Sequence, residues 1–187
     1  SSLSNGIYRS FSEKIIRKLG ERYGNNLTVM GWQLDNEPEA KEDYSPGSQH
    51  AFRSWLEKKY QSIDALNIAW GAAFWSQTYS SWDHVNVPTA GDVPLPEGFM
   101  RASPSPGHAL DYFRFVSDSF ARYQRLQIDE IRRRSDLPIT HNLRGFGFKE
   151  LDYQELAAGL DFLSWDNYPL LGSSGGWLEP ALSCDAI

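Results

Sequence analysis

A carboxamide and a carboxyl group stand side by side where an apolar run of the sequence ends. The pair is Asn36-Glu37, and the run before it covers residues 27–34 (LTVMGWQL). The run is short, rich in β-forming residues and bracketed by Gly24 and Pro38, which predicts a buried strand. In barrels and open α/β folds, catalytic groups collect at the carboxyl ends of the strands. Glu37 is therefore the first candidate for proton-transfer chemistry.

Two further predicted strands also end in polar or aromatic residues. Residues 138–143 (PITHNL) contain Asn142 near their end, and residues 160–165 (LDFLSW) end at Trp165 and precede the sequence DNYP. In a barrel, residues from several strand ends converge on one pocket. On these grounds alone Asn142 and Trp165 are candidates for that pocket, with core packing as the alternative for both.

Helical patterns separate the predicted strands and define the fold class. A capping-box spacing at Ser10 and Glu13 opens a first helix, and Gly24 is expected to end it in the left-handed conformation. Further helices are expected around residues 52–60, 62–70, 109–134 and 153–158. Helical crossovers between strands predict a parallel sheet, which we interpret as a partial (β/α)8 TIM barrel of about three βα units. An open doubly wound sheet gives the same order, but no glycine-rich phosphate loop follows any strand.

Two segments carry no clear helix or strand pattern. Residues 76–106 form a long loop with five of the ten prolines, and residues 171–187 are expected to be a poorly ordered tail. The length of 187 residues alone predicts one domain, possibly two.

The amino-acid composition argues against several classes of function. Aromatic residues make up 14% of the chain and seven are Trp, which suits sugar rings as well as a core. The formal net charge of −6 argues against a nucleic-acid partner. No stretch is apolar and long enough to cross a membrane. Cys184 is the only cysteine and no histidines have zinc-ligand spacing, so neither a metal nor another cofactor is predicted.

The sequence resembles glycoside hydrolase family 42, the microbial β-galactosidases. The resemblance rests on residues 31–38 (GWQLDNEP), 66–71 (LNIAWG), 74–79 (FWSQTY), 110–115 (LDYFRF) and 164–169 (SWDNYP), with further matches at 52–60 and Trp82. These segments occur in the family's order along nearly the whole chain. The Asn-Glu-Pro sequence is shared by many retaining glycosidase barrels, whereas the blocks at 66–71 and 74–79 are much more specific.

The resemblance implies a retaining hydrolase that releases terminal β-D-galactose from a galactoside or oligosaccharide. It implies that Glu37 is the general acid and then the base, and that Asn36 binds the sugar 2-hydroxyl. It also implies that Trp75 and Tyr168 line the galactose pocket, with core packing as the alternative for both. A homotrimer and a bacterial cytoplasmic location are further expectations from the resemblance. The family's zinc-binding cysteines have no counterpart here.

The resemblance places the nucleophilic glutamate one strand beyond the sequence DNYP at 166–169. We therefore expect an internal piece of a longer enzyme that is inactive in isolation. Another retaining β-glycosidase, of the β-glucosidase, mannanase or arabinosidase type, is the nearest alternative. A non-catalytic carbohydrate-binding module is less consistent with the α/β order, since such modules are usually β-sandwiches.

Overall fold

The computed structural model describes residues 2–39, 43–88, 105–144, 151–169, 172 and 174–186. The chain forms two compact units: Ser1–Tyr8 with Lys41–Val116, and Arg9–Ala40 with Ser117–Ile187. The helices in chain order are α1 Gly6–Tyr23, α2 Pro46–Tyr60, α3 Ile63–Trp70, α4 Pro106–Arg132, α5 Tyr153–Ala157 and α6 Leu178–Ala186. The strands are β1 Trp32–Leu34, β2 Ile139–Leu143 and β3 Ser164–Trp165. The described helices include none with both the length and the apolar character needed to cross a membrane.

The second unit contains a three-stranded parallel sheet in the order β1-β2-β3. The predicted strand order and parallel pairing are therefore confirmed, although each strand is shorter than its apolar run. Leu34 and Ile139 lie on one face and pack against Ile128 and Ile131 of α4. Because side chains alternate along a strand, Gln33 of β1 and Asn142 of β2 lie on the opposite face.

Helix α1 begins four residues before the predicted capping residue Ser10. The side-chain oxygen of Asn5 accepts the N–H groups of Ile7 and Tyr8 at 2.9 and 3.1 Å, so Asn5 rather than Ser10 caps the helix. Gly24 does follow the helix, but it is absent from the glycines with positive φ. A Cβ at Gly24 would lie 2.4 Å from the carbonyl oxygen of Arg134, so close backbone approach is what requires glycine there.

The first unit is built around aromatic side chains of α2 and α4. Phe52 is fully buried and contacts Trp55, His108, Tyr112 and Phe115. Ser62 caps α3, and Gly71 ends it with a φ of 61°.

The beginning of the predicted loop at 76–106 is held by side chains of α2 and α3. Asn67 brackets Tyr79 with two hydrogen bonds of 2.8 and 2.9 Å. Arg53 donates to the carbonyl of Val85 at 2.7 Å, and Gln49 accepts the N–H of Val87 at 2.7 Å. Residues 89–104 of this loop lie outside the described part of the chain.

The tail at 171–187 contains helix α6, which the sequence pattern did not indicate. Pro180 is the third residue of α6. The first-turn N–H groups of a helix have no intrahelical partner, so a proline costs little at that point. The structure thus adds a helix to this segment, and the expectation that the tail is poorly ordered stays a prediction.

Candidate active site

The polar residues at the strand ends meet on the sheet face opposite α4. Gln33 pairs in register with Thr140, and Asn142 pairs with Ser164. Gln33 Nε2 donates to Asn142 Oδ1 at 3.1 Å, and the hydroxyls of Thr140 and Ser164 are 2.9 Å apart. This polar face leads directly to Asn36 and Glu37, which follow β1.

Asn142 connects the Asn36-Glu37 turn to β2. The backbone N–H of Glu37 donates to Asn142 Oδ1 at 3.2 Å, and Asn142 Nδ2 lies 3.1 Å from Asn36 Oδ1. A backbone N–H can only donate, which fixes the amide orientation of Asn142. The Asn36 side chain therefore accepts this hydrogen bond through Oδ1, and its Nδ2 group points away from Asn142. Asn142 is only 4% exposed, so its amide mainly positions its neighbours.

The backbone that carries Glu37 has an unusual conformation. Asp35 and Glu37 have φ angles of 34° and 41°, in the left-handed region that L side chains rarely adopt. Such a conformation persists only where surrounding contacts determine it, and it is common in functional sites. One of these contacts is a 2.5 Å hydrogen bond from Gln127 Nε2 on α4 to Asp35 Oδ2.

The environment of Glu37 favours the protonated carboxyl group. The pKa of Glu37 is raised first by a hydrogen bond with the Asp166 carboxylate, then by desolvation and by repulsion from the Asp166 charge. Arg144 lowers the same pKa, and Glu39 raises it to a smaller extent. Arg144 is itself paired with Glu39 at 2.8 Å. The environment of Glu37 thus favours the protonated form that a proton donor needs.

Tyr168 lies beside this carboxyl pair, and its role in a galactose pocket stays a prediction. Its hydroxyl donates to Asp166 Oδ2 at 3.3 Å, and its side chain is 77% exposed. Negative charge on Asp166 and, to a smaller extent, on Glu37 raises the pKa of Tyr168. The hydroxyl therefore stays protonated and able to donate at neutral pH.

The two remaining predicted site residues are Trp165 and Trp75. Trp165 pairs with Leu143, which places it on the helix-facing side of the sheet, and within the described part of the chain its buried Nε1 has no hydrogen-bond partner. Trp75 lies in a short 3-10 helix, Ala72–Trp75, of the first unit, and its side chain is outside the described part of the chain. The pocket roles of both residues stay predictions.

Asp166 and Gln127 belong to the site but were not among the predicted site residues. Asp166 is two positions after Ser164, so strand alternation would place it on the face of Asn142. That periodicity was the available signal for Asp166. No comparable signal exists for Gln127, because its contact with Asp35 joins residues 92 positions apart. Groups of three or more His, Cys, Asp or Glu side chains suited to a metal are not found in the described ranges.

Comparisons with known proteins identify the fold and the family. The structure of a β-galactosidase from Bacillus circulans sp. alkalophilus aligns with a TM-score of 0.86 at 33% identity, covering 98% of this chain and 26% of that one. The Gan42B β-galactosidase, described as a GH42 enzyme, aligns over 92% of this chain and 25% of its own, with a TM-score of 0.80 at 35% identity. These alignments confirm the predicted fold class, a partial (β/α)8 barrel.

The sequence comparisons agree with the structural ones. The family model of glycoside hydrolase family 42, described as Beta-galactosidase, matches residues 1–184. The chain belongs to glycoside hydrolase family 42. A β-galactosidase from Thermus thermophilus is 44% identical over 171 residues, covering 89% of this chain and 25% of that protein. The chain spans about a quarter of the length of the curated relatives that it matches.

Proposed function

We propose that this chain supplies the acid/base half of a retaining β-galactosidase, with Glu37 as the proton donor. The observation that carries the proposal is the pairing of Glu37 with Asp166, which raises the pKa of Glu37. A glycosidic oxygen leaves readily only if it is protonated as its bond breaks. The relatives' names as β-galactosidases support galactosides as the substrate class.

Asn36 is proposed to bind the sugar through its Nδ2 group. Its Oδ1 is already held by Asn142 at 3.1 Å, so Nδ2 is the end that can reach a ligand. An amide N–H donates to a hydroxyl oxygen, which fits a contact with the 2-hydroxyl beside the scissile bond. Tyr168 is proposed to provide a hydroxyl donor to the same sugar.

The nucleophile is proposed to be a carboxylate outside the described residues. In retaining glycosidases the two carboxyl groups stand about 5 Å apart, one on each side of the bond that breaks. The interaction of Asp166 with Glu37 raises the pKa of Glu37, so the two carboxyl groups lie closer together than a pair on opposite sides of a sugar. Asp166 therefore modulates the acid and does not attack the sugar. The cytoplasmic location and trimeric assembly stay predictions from the resemblance.

The test uses leaving groups of different basicity in the full-length protein. Glu37→Gln should lower kcat/KM for a 4-nitrophenyl β-galactoside by about 10²–10⁴-fold, the usual contribution of general acid catalysis. For a 2,4-dinitrophenyl β-galactoside, whose leaving group needs no proton, the loss in kcat/KM should be less than about tenfold. Glu13→Gln, at an exposed position of α1, is the matched control and should change neither value.

Two results would contradict the proposal. Equal losses on both substrates would show that Glu37 does not donate the proton. Faster hydrolysis of an aryl β-glucoside, β-mannoside or α-arabinoside than of the β-galactoside would assign a different sugar.

A further inference from the structure

A buried glutamine on α4 contacts the turn that carries the acid. Gln127 is 4% exposed and donates from Nε2 to Asp35 Oδ2 at 2.5 Å. The contact lies on the helix side of the sheet, away from the face that carries Gln33 and Asn142. A sugar on that polar face would not touch Gln127, so any effect of Gln127 on the reaction must act through Asp35.

We propose that Gln127 is a positioning residue. Its hydrogen bond to the Asp35 side chain stabilises the left-handed backbone conformation of Asp35, which in turn orients Glu37. The inference rests on the proposed role of Glu37 as the acid. In this inference the Asp35 side chain fixes the backbone of the turn, and Gln127 binds that side chain.

The conformation at Asp35 explains why an anchor is needed. An L residue at a φ of 34° is strained and returns to negative φ unless something holds it. The Gln127 bond holds the Asp35 side chain, and the 3.2 Å bond to Asn142 holds the N–H of Glu37. Loss of the first bond would let Asp35 relax. That relaxation would rotate the following peptides and withdraw the Glu37 N–H from Asn142.

Gln124 provides a matched control on the same helix. It lies three residues before Gln127, is 3% exposed, donates to the carbonyl of Leu156 at 2.5 Å and is 2.8 Å from His141 Nδ1. Its chemistry and burial are thus close to those of Gln127, but it does not contact the turn. Replacement of either glutamine by Met should cost similar stability.

The experiment measures kcat/KM for a 4-nitrophenyl β-galactoside across pH in the full-length protein. Gln127→Met should lower kcat/KM at least tenfold and shift the basic limb of the pH profile, whereas Gln124→Met should stay within about twofold of the parent. The decisive comparison is made at Asp35, an exposed residue whose replacement spares the core. Asp35→Ala should reproduce the defect, and Asp35→Gly should not, because glycine adopts positive φ without an anchor.

A double variant separates positioning from packing. In the Asp35→Gly background, Gln127→Met should cause no further loss of kcat/KM. Equal activities of the Asp35→Ala and Asp35→Gly variants, or of the two Met variants, would overturn the inference. Glu37→Gln is measured alongside: if that variant keeps full activity, the proposed acid fails. If it is inactive while Gln127→Met behaves like Gln124→Met, only the positioning inference fails.

Discussion

The side-chain oxygen of Asn142 accepts the backbone N–H of Glu37 at 3.2 Å, which ties the end of β1 to the end of β2. The same side chain holds Asn36 through its Nδ2 group. One buried amide therefore fixes both residues that the proposed reaction uses. Changes at Asn142 should affect the site without removing any group that touches substrate.

Asn142→Asp is the most informative change, because only the Nδ2 group is altered. The new carboxylate would keep the bond to the Glu37 N–H, but one of its oxygens would face Asn36 Oδ1, so two acceptors would meet without a proton between them. Stability should fall by about 1–3 kcal/mol, the cost of a buried polar group without its partner. The added negative charge should raise the pKa of Glu37 further. Urea unfolding and the pH dependence of kcat/KM measure the two effects. Thr140→Ser, which keeps its hydroxyl on the same face, should change neither.

Asp166→Asn should lower the pKa of Glu37. The substitution removes the carboxylate that raises this pKa most, and the charges of Arg144 and Glu39 remain. Glu37 must be protonated to act as an acid, so a lower pKa means that activity is lost at a lower pH. The fall of kcat/KM at high pH should therefore begin at a lower pH in this variant. An unchanged limb would show that Asp166 does not control the proton on Glu37.

Asp161→Asn is the matched control for Asp166→Asn. The Asp161 carboxylate accepts the N–H of Ile139 at 2.6 Å and pairs with Arg132, so its role is to join β2 and α4 to the segment before β3. The Asn variant should lose some stability but keep the pH limb of the parent.

Protonation of His141 should destabilise the second unit at acid pH. His141 is 3% exposed, and burial lowers its pKa below the ordinary value of 6.5, although the charge of Asp35 opposes this. As the pH falls through 6.5 the unfolded chain binds the proton first, so the free energy of unfolding decreases. Gln124 Nε2 donates to Leu156, which leaves its oxygen to accept from His141 Nδ1–H. A second proton would have to go onto the buried Nε2, which has no hydrogen-bond partner among the described residues.

His141→Gln should remove this part of the pH dependence. Urea unfolding of the variant and the parent from about pH 7.5 to about pH 5 gives the comparison, since this window spans the ordinary histidine pKa. The variant is less stable at the upper end of that window if the Gln124 bond is lost, but its stability should then decline less on acidification. A parallel decline in both proteins would exclude His141 as the titrating group.

The sequence predicted the framework of the site well and its fine geometry poorly. The apolar runs at 27–34, 138–143 and 160–165 indicated the strands, because burial imposes a pattern on consecutive residues. The left-handed backbone at Asp35 could not be predicted, since it depends on Gln127, 92 residues away. The requirement for glycine at position 24 arises in the same way from a distant carbonyl. Local sequence patterns predict helices and strands, whereas contacts between distant residues determine the backbone conformation of a turn.

The first unit depends on a buried carboxylate at Asp111. This residue is 1% exposed, pairs with Lys59, and accepts hydrogen bonds from Tyr60 at 2.5 Å and Trp70 at 2.9 Å. Desolvation acts most strongly and raises the Asp111 pKa, but the hydrogen bonds from these three donors together lower it below its ordinary value. The stability from this carboxylate is present above its unfolded pKa and is lost as the pH falls through the folded pKa.

Asp111→Asn should cost about 3 kcal/mol, near the lower end for a broken buried pair, because Lys59 is partly exposed. Burial and the Asp111 charge raise the pKa of Tyr60 to about 12, and the variant should lower it. Urea unfolding and an ultraviolet titration of tyrosine give the two values. Asp129→Asn, at an exposed position of α4, should change stability by less than about 0.5 kcal/mol.

Gly24→Ala should destabilise the second unit, although Gly24 does not have positive φ. The added Cβ would lie 2.4 Å from the carbonyl oxygen of Arg134 and 2.6 Å from that of Gly20. Both are backbone atoms, so neither can rotate away, and the ends of α1 and α4 would have to separate. Crowding of this kind costs about 1–3 kcal/mol. Gly6→Ala is the control, because a Cβ at Gly6 has no heavy atom within 4 Å. Thermal unfolding should show a lower Tm for the Gly24→Ala variant alone, and equal Tm values would mean that the helix ends separate at little cost.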